Sequence, residues 1–263
     1  MRQCVRRNEY WVNRMRLTRV FVAAELGEGS IVDLPPETAS HVAKVLRARS
    51  GDELLLFNGD GRELAGEIES VRGSRVRVTV GRGTNADRES PLAVTLLQCV
   101  PRGDRMDFIV QKATELGVRH IVPVLSHRSV VRLNADQAQS KALHWRAVAI
   151  GACEQSGRNR LPTIDAPRQL IDYLGAAPPA ATTRLVLEPE PAAAAAVPAT
   201  WSADHALEVG IGPEGGFTPE ELEAFRVARF HRICLGPRIL RAETAAIAAL
   251  VWLQARFGDM RVT

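Results

Sequence analysis

The sequence predicts two domains of different class, a small β-barrel followed by an α/β domain. Three observations carry this. Between Val20 and Val80 the apolar residues mark short strands broken by Gly and Asn turns, with one helix among them. Gly81 to Pro91, which contains Gly-Arg-Gly-Thr-Asn-Ala-Asp, is a polar linker. Beyond it strands alternate with helices, the signature of a parallel sheet. A length of 263 residues with 46% hydrophobic composition suffices for one large or two modest cores and excludes a disordered or fibrous chain.

In chain order, residues 1–14 show no period and are read as an extension outside the fold, with Met15 as a candidate start. Residues 15–83 form the barrel. Its strands are Val20 to Val22, Ile31 to Leu34, Glu53 to Phe57, Glu63 to Val71 and Arg75 to Val80, the last alternating Arg with Val. Asn58-Gly-Asp-Gly61 and Arg72-Gly-Ser74 are hairpin turns, since Gly and Asn accept positive φ. The one helix that interrupts the strands has Pro36 in its first turn, Val42, Val45 and Leu46 on its apolar face, and Ser40, Lys44 and Arg47 outward.

Residues 91–263 form the α/β domain. Leu92 to Val100 is a near-continuous apolar strand, as expected of one buried on both faces. A helix follows, capped at Asp104, apolar at Met106, Ile109, Ala113 and Leu116, and ended by Gly117. His120 to Leu125 is a strand, Ala138 to Gly151 a long helix, and Leu185 to Leu187 and Leu207 to Ile211 further strands. The Ala/Pro-rich stretch Pro189 to Pro198 between the last two is read as surface loop.

Charge and cysteine usage narrow the function. Net charge is +4, but residues 1–19 contribute six Arg against one Glu, and the remaining chain balances at 28 basic to 29 acidic. The informative bias is local. Arg102 to Arg160 carries ten Lys or Arg against five Asp or Glu, either a face for a phosphate backbone or a solvated charged surface. Cys4, Cys99, Cys153 and Cys234 are too scattered for a disulfide framework or a structural zinc, and no metal is expected. No run approaches the roughly 18 apolar residues of a bilayer span, and the interrupted N-terminus lacks a secretory h-region, so no membrane partner and a cytoplasmic location are expected.

Two segments carry chemistry. Leu207-Glu-Val-Gly-Ile-Gly-Pro-Glu-Gly-Gly-Phe-Thr-Pro-Glu-Glu221 runs from a strand through a Gly-rich turn into a helix with Thr218 as N-cap, Pro219 at N1 and Glu221 closing a capping box. Gly210, Gly212 and Gly215 match the dinucleotide spacing, but Pro213 removes an amide from the turn and no acid follows about 20 residues on, so that reading fails. The turn instead lets backbone approach a flat ligand, with Glu214 for a polar contact. His231 to Ala246 supplies a strand to Leu235, a turn through Gly236 and Pro237, and a helix from Ala242 that is apolar nearly all round. Two Gly turns at successive strand ends converge on one crevice.

Taken together, Arg19-Val-Phe-Val, His41-Val-Ala-Lys-Val-Leu-Arg47, Gly103-Asp-Arg-Met-Asp107 with Lys112-Ala-Thr-Glu-Leu-Gly117, Arg128-Ser, Glu154-Gln-Ser-Gly-Arg158, Ile211-Gly-Pro-Glu-Gly-Gly-Phe217 and Leu235-Gly-Pro-Arg-Ile-Leu-Arg-Ala-Glu-Thr-Ala245 resemble the bacterial 16S ribosomal RNA uridine-N3 methyltransferase family, RsmE type, of the SPOUT superfamily. The resemblance runs from about Arg19 to Phe257. Arg102 stands where the family usually has Lys. It implies a PUA-like RNA-binding barrel, a SPOUT domain with a deep trefoil knot, S-adenosylmethionine as cofactor and a homodimer acting on 16S rRNA in the assembled small ribosomal subunit. Carried over residue by residue, it puts Leu187, Glu188, Gly210, Ile211, Gly212, Pro213, Glu214, Gly215, Gly216, Leu235, Gly236, Ile239 and Leu240 around the cofactor.

Methylating uridine N3 needs a base for the imide proton or a cation for the anion it leaves. Arg241 is assigned to the uracil oxygen charge or a phosphate and Glu243 to the proton, although Glu243 could equally serve the helix dipole. Arg19, Arg47, Arg102, Arg105, Arg128 and Arg158 are the expected RNA contacts. A SPOUT enzyme acting on ribose 2'-OH and a non-catalytic RNA-binding protein remain the alternatives.

Overall fold

The computed structural model describes residues 17–84, 86–176, 182–189 and 206–261. The extension over residues 1–14 and the Ala/Pro stretch after Pro189 lie outside the described residues. The chain divides into two compact units, one of residues up to Arg88 together with Cys153–Arg160, the other of Glu89–Ala152 and the chain from Leu161 onward.

Cys153–Arg160, read from the sequence as part of the α/β domain, packs with the first unit. Hydrogen bonds explain the placement. The Arg19 guanidinium donates to the Arg158 carbonyl at 3.0 Å and to Asn159 Oδ1 at 2.7 Å, and the Phe21 amide donates to Glu154 Oε1 at 3.0 Å. The Arg19 charge is matched by Glu63, a buried carboxylate that also pairs with Arg88 at 3.2 Å.

In this unit β1 (Thr18–Phe21) pairs parallel with β3 (Glu53–Phe57), and β4 (Glu63–Arg72), β5 (Arg75–Thr84) and β2 (Ile31–Asp33) continue the sheet antiparallel in the order β1-β3-β4-β5-β2. Alternation dictates the core: Val76, Val78 and Val80 point in with Leu54, Leu56 and Ile68 while the intervening arginines point out. Strand β5 runs to Thr84, four residues into the stretch read as linker. Gly81 and Gly83 permit it, because a Cβ at Gly81 would stand 3.3 Å from the Ala65 carbonyl. The helix also departs from expectation. Pro36–Ser40 (α1) passes into a π turn over His41–Val45, closed by the Leu46 amide on the His41 carbonyl at 3.1 Å. The wider turn rotates the face that the 3.6-residue period assumes, so Val42 is buried but Val45 and Leu46 are 67% and 43% exposed.

The second unit is built on a sheet in which every pairing is parallel: β12 (His231–Ile233), β10 (Thr182–Leu187), β11 (Ala206–Ile211), β6 (Val94–Cys99), β7 (His120–Leu125) and β8 (Thr163–Ile164) lie in that order, with β9 (Arg168–Gln169) also on β7. Neighbouring residues on one strand face different cores. Leu96, Ile121 and Leu185 pack with α2 (Arg105–Glu115), Trp145 of α3 (Ala135–Ser156) and α6 (Ala242–Phe257), whereas Leu97, Val122 and Val186 pack with α4 (Leu170–Gly175) and Phe225 of α5 (Pro219–Val227). Burial on both faces is why these strands read as unbroken apolar runs.

Two details differ here. Asp104 precedes α2 but makes no capping hydrogen bond with its side chain, while the expected stop at Gly117 has φ +81°. The short elements β8, β9 and α4 carry no sequence signal, being two or six residues long. The capping box on α5 forms as predicted: the Glu221 amide donates to Thr218 Oγ1 at 3.2 Å and the Thr218 amide to Glu221 Oε2 at 2.8 Å.

Candidate active site

The segments that leave the carboxyl ends of three adjacent parallel strands, β12, β10 and β11, enclose a cavity of about 320 Å³. That is where open α/β sheets bind ligands, and the volume is of the size small-molecule sites have. Leu187 and Glu188 come from the end of β10, Ile211 through Gly216 with Phe217 from the Gly-rich turn after β11, and Leu235, Gly236, Ile239 and Leu240 from the turn after β12. Thus all the residues expected around a cofactor line this cavity except Gly210. Gly210 lies within β11, where an added Cβ would stand 3.2 Å from the Phe225 ring, so its role is core packing.

The cavity wall is apolar at Leu187, Ile211, Phe217, Leu222, Leu235 and Leu240, with Ile239 at the mouth 88% exposed. An exposed Ile facing a cavity gives a ligand apolar area to cover. The turn after β11 is held tight by the Gly216 amide on the Pro213 carbonyl at 2.9 Å, with Gly216 at φ +67°. A Cβ at Gly212 would stand 3.2 Å from the Phe217 ring.

The charged part of the wall is mixed, with Glu188 and Glu214 beside Arg128 and Arg238. Glu188 carries a buried oxygen, Oε2, with no hydrogen-bond partner, its cation Arg232 being 3.4 Å away. Glu243, in the first turn of α6 next to the lining residue Ala242, is itself absent from the cavity wall; its Oε2 is buried and unpartnered and its Oε1 lies 3.9 Å from Arg105 Nε. Glu214 is already engaged, accepting from Arg105 Nη1 at 2.5 Å and the Arg102 amide at 3.3 Å. A wall carboxylate oxygen without a hydrogen-bond donor, as at Glu188, suits a ribose hydroxyl or an amino group. Among the described residues no cluster of three His, Cys, Asp or Glu side chains could hold a metal ion.

The expected cationic residues scatter. Arg241 is the exposed N-cap of α6 and is absent from the cavity wall. Arg158 is buried and Arg19 half-buried in the first unit, the Arg19 guanidinium being engaged by Glu63, the Arg158 carbonyl and Asn159, so neither stands out as an exposed cation. Arg128 lines the cavity, its Nη1 donating to the Gly215 carbonyl at 2.7 Å, whereas Arg105 is absent from the wall and reaches it only through Glu214. Arg47, at φ +53°, and Arg102 are exposed.

A basic feature the sequence reading missed lies on the first unit. The β4–β5 hairpin sets Arg72 directly opposite Arg75, with Arg77 two residues further along the same face, around a cavity that also includes Asp33 and Ser74. Like charges opposite one another on a sheet are unfavourable, which favours an anionic occupant. The alternation of Arg and Val was the available signal, used only to identify a strand.

Comparison with known proteins agrees with this architecture. The family model of an RNA methyltransferase domain matches residues 88–254, and that of an RNA methyltransferase PUA domain matches residues 34–81. Ribosomal RNA small subunit methyltransferase E of Bacillus subtilis is 32% identical over 86% of this chain and 90% of its own length. The same enzyme from Neisseria gonorrhoeae, solved bound to S-adenosyl methionine, is 34% identical with a TM-score of 0.85 over 94% of this chain and all of that one. A methyltransferase from Legionella pneumophila, solved with bound SAM, is 38% identical with a TM-score of 0.86 over 93% and 100% of the two chains. With a cofactor-sized cavity at the carboxyl ends of its parallel strands and relatives matched over nearly their full length, the chain belongs to the ribosomal RNA small subunit methyltransferase E family of RNA methyltransferases.

Proposed function

We propose that this protein transfers the methyl group of S-adenosylmethionine to N3 of a uridine in 16S ribosomal RNA within the small ribosomal subunit. The observation that carries the reading is the cavity formed by Leu187–Glu188, Ile211–Phe217 and Leu235–Leu240. Its two Gly turns, its apolar wall and the Glu188 and Glu214 carboxylates fit a nucleoside bearing a positive sulfonium. When bound, S-adenosylmethionine supplies an electrophilic methyl group.

The chain's own residues must then bind the uridine and take its imide proton. N3 lies on the Watson–Crick edge, so the target base has to be unpaired or flipped out. Glu243, whose Oε2 is buried without a partner, is the group we assign to the proton. Arg241, at the exposed start of α6, is assigned to an RNA phosphate or to the uracil oxygen. The hairpin arginines Arg72, Arg75 and Arg77, with exposed Arg47 and Arg102, are assigned to the RNA backbone.

The same reading includes a trefoil knot in the second unit, a cytoplasmic location and a homodimer. Support for the dimer is α6, where Ile247, Ala248, Val251 and Trp252 form a partly exposed apolar stripe on a helix whose other face is buried. A monomeric mass by light scattering at micromolar concentration would remove it.

The reaction is tested by incubating the protein with labelled S-adenosylmethionine and either small subunits or naked 16S rRNA, followed by nucleoside mass spectrometry. The expected product is 3-methyluridine, formed faster on subunits. A 2'-O-methylated nucleoside would establish the ribose-modifying alternative, and bound cofactor without transfer would leave an RNA-binding role.

A further inference from the structure

The turn between Gly212 and Phe217 contains three glycines, and glycine carries the largest backbone entropy cost on ordering. The capping box fixes the chain only from Thr218 onward. Before Thr218 the turn's internal closure is the Gly216 amide on the Pro213 carbonyl, and two arginines from other elements add to it.

Arg105 is the first residue of α2, and its Nη1 meets Glu214 Oε1 at 2.5 Å. The Arg102 amide donates to the same oxygen at 3.3 Å, so the loop and helix start after β6 together grip the middle of the turn. Arg128 follows β7, and its Nη1 donates to the Gly215 carbonyl at 2.7 Å. Its aliphatic stem runs along the turn as well: a Cβ on Gly215 would stand 3.4 Å from Arg128 Cβ and 3.5 Å from Cδ. Two consecutive residues of one turn are thus tied to the ends of two neighbouring strands of the sheet, β6 and β7.

We propose that Arg105 and Arg128 are positioning residues that hold the Gly212–Phe217 turn in its ligand-ready shape, and that this is their role rather than contact with RNA phosphate. The inference rests on the reading of the cavity as the S-adenosylmethionine site. Both guanidiniums already donate to acceptors on the turn, which fixes where they point. A turn that takes its competent shape only a fraction of the time binds more weakly by that fraction.

The test is calorimetric titration of S-adenosylmethionine into the full-length protein without RNA. Arg105→Gln and Arg128→Gln are each expected to raise Kd about tenfold, as for a turn competent roughly a tenth of the time. Unfolding midpoints should stay close to that of the unmodified protein. Arg105→Lys, which can still reach Glu214, should recover most of the affinity. Adding Arg105→Gln to Glu214→Gln should cost little beyond Glu214→Gln alone, because the two share one interaction. Unchanged Kd in both Gln variants, with a flatter salt dependence of rRNA binding, would overturn the inference and return these residues to the RNA face. Failure of the unmodified protein to bind S-adenosylmethionine would overturn the cavity reading and this inference with it.

Discussion

Arg184 Nε meets Glu208 Oε2 at 2.7 Å across two parallel strands, with 4% and 2% of the side chains exposed. The two residues are direct partners in the β10–β11 register. Further contacts surround the pair: Tyr173 donates its hydroxyl to Glu208 Oε1 at 2.5 Å, Arg184 Nη1 donates to the Ala228 carbonyl at 3.0 Å, and the guanidinium lies 4.5 Å from the centre of the Phe230 ring. Burial and the neighbouring Glu208 push the Tyr173 hydroxyl well above its ordinary range, so it stays a donor. Arg184→Ala strands the Glu208 carboxylate and should cost about 3–5 kcal/mol, whereas replacing both with apolar residues of similar volume should cost far less. Denaturant unfolding of the two variants checks this, and equal losses would contradict it.

Glu154 gives a pH-dependent prediction for the first unit. Burial raises its pKa above the ordinary value, against the opposing pull of the Phe21 amide, His41 and Arg19. A raised folded pKa means that the group's contribution is complete below the unfolded value near 4.5 and is lost as pH rises through the folded one. Glu154→Gln keeps an oxygen for the Phe21 amide and removes the titration. Its stability advantage over the unmodified protein should grow between pH 4 and pH 7 in thermal melts, and a constant difference would refute the assignment.

At Gly212 steric space decides. The nearest Phe217 ring atom would lie 3.2 Å from a Cβ there, before the two methyls of Val are placed. Gly212→Val should drive Phe217 into the cavity and abolish S-adenosylmethionine binding by calorimetry. The first unit should remain folded by circular dichroism, since the substitution touches only the second.

Glu243 separates chemistry from binding. Glu243→Gln preserves shape but cannot take a proton, and one general base contributes about 10²–10⁴ in rate. We expect kcat to fall in that range with S-adenosylmethionine affinity retained. A variant with normal turnover would reduce Glu243 to a charge complementing the α6 dipole.

On the barrel unit the hairpin arginines should act through charge. Arg72→Glu and Arg75→Glu are expected to weaken small-subunit binding and to reduce the slope of log K against log salt by roughly 0.7–0.9 for each phosphate contact removed. S-adenosylmethionine affinity should not change. Binding and salt slope like those of the unmodified protein would exclude this face.

Much of the fold was legible because its signals are local. Glu53 to Phe57 and His120 to Leu125 are strands over the predicted residues, and the Thr218–Glu221 capping box is written in four adjacent positions. The cavity was legible for a related reason: both Gly turns follow strands, and parallel neighbours bring their carboxyl ends to one edge. What needed the tertiary structure was the destination of long side chains. Arginines at 19, 105, 128 and 158 look alike in sequence, yet Arg19 donates to the Arg158 carbonyl within the first unit, where Arg158 is buried, while Arg105 and Arg128 grip the Gly-rich turn. A guanidinium on a flexible stem reaches partners far away in sequence, and composition cannot tell a phosphate ligand from a carbonyl donor. The π turn at His41–Val45 and the return of Cys153–Arg160 to the first unit were hidden for the same physical reason, being decided by packing and by hydrogen bonds between distant residues rather than by period or propensity.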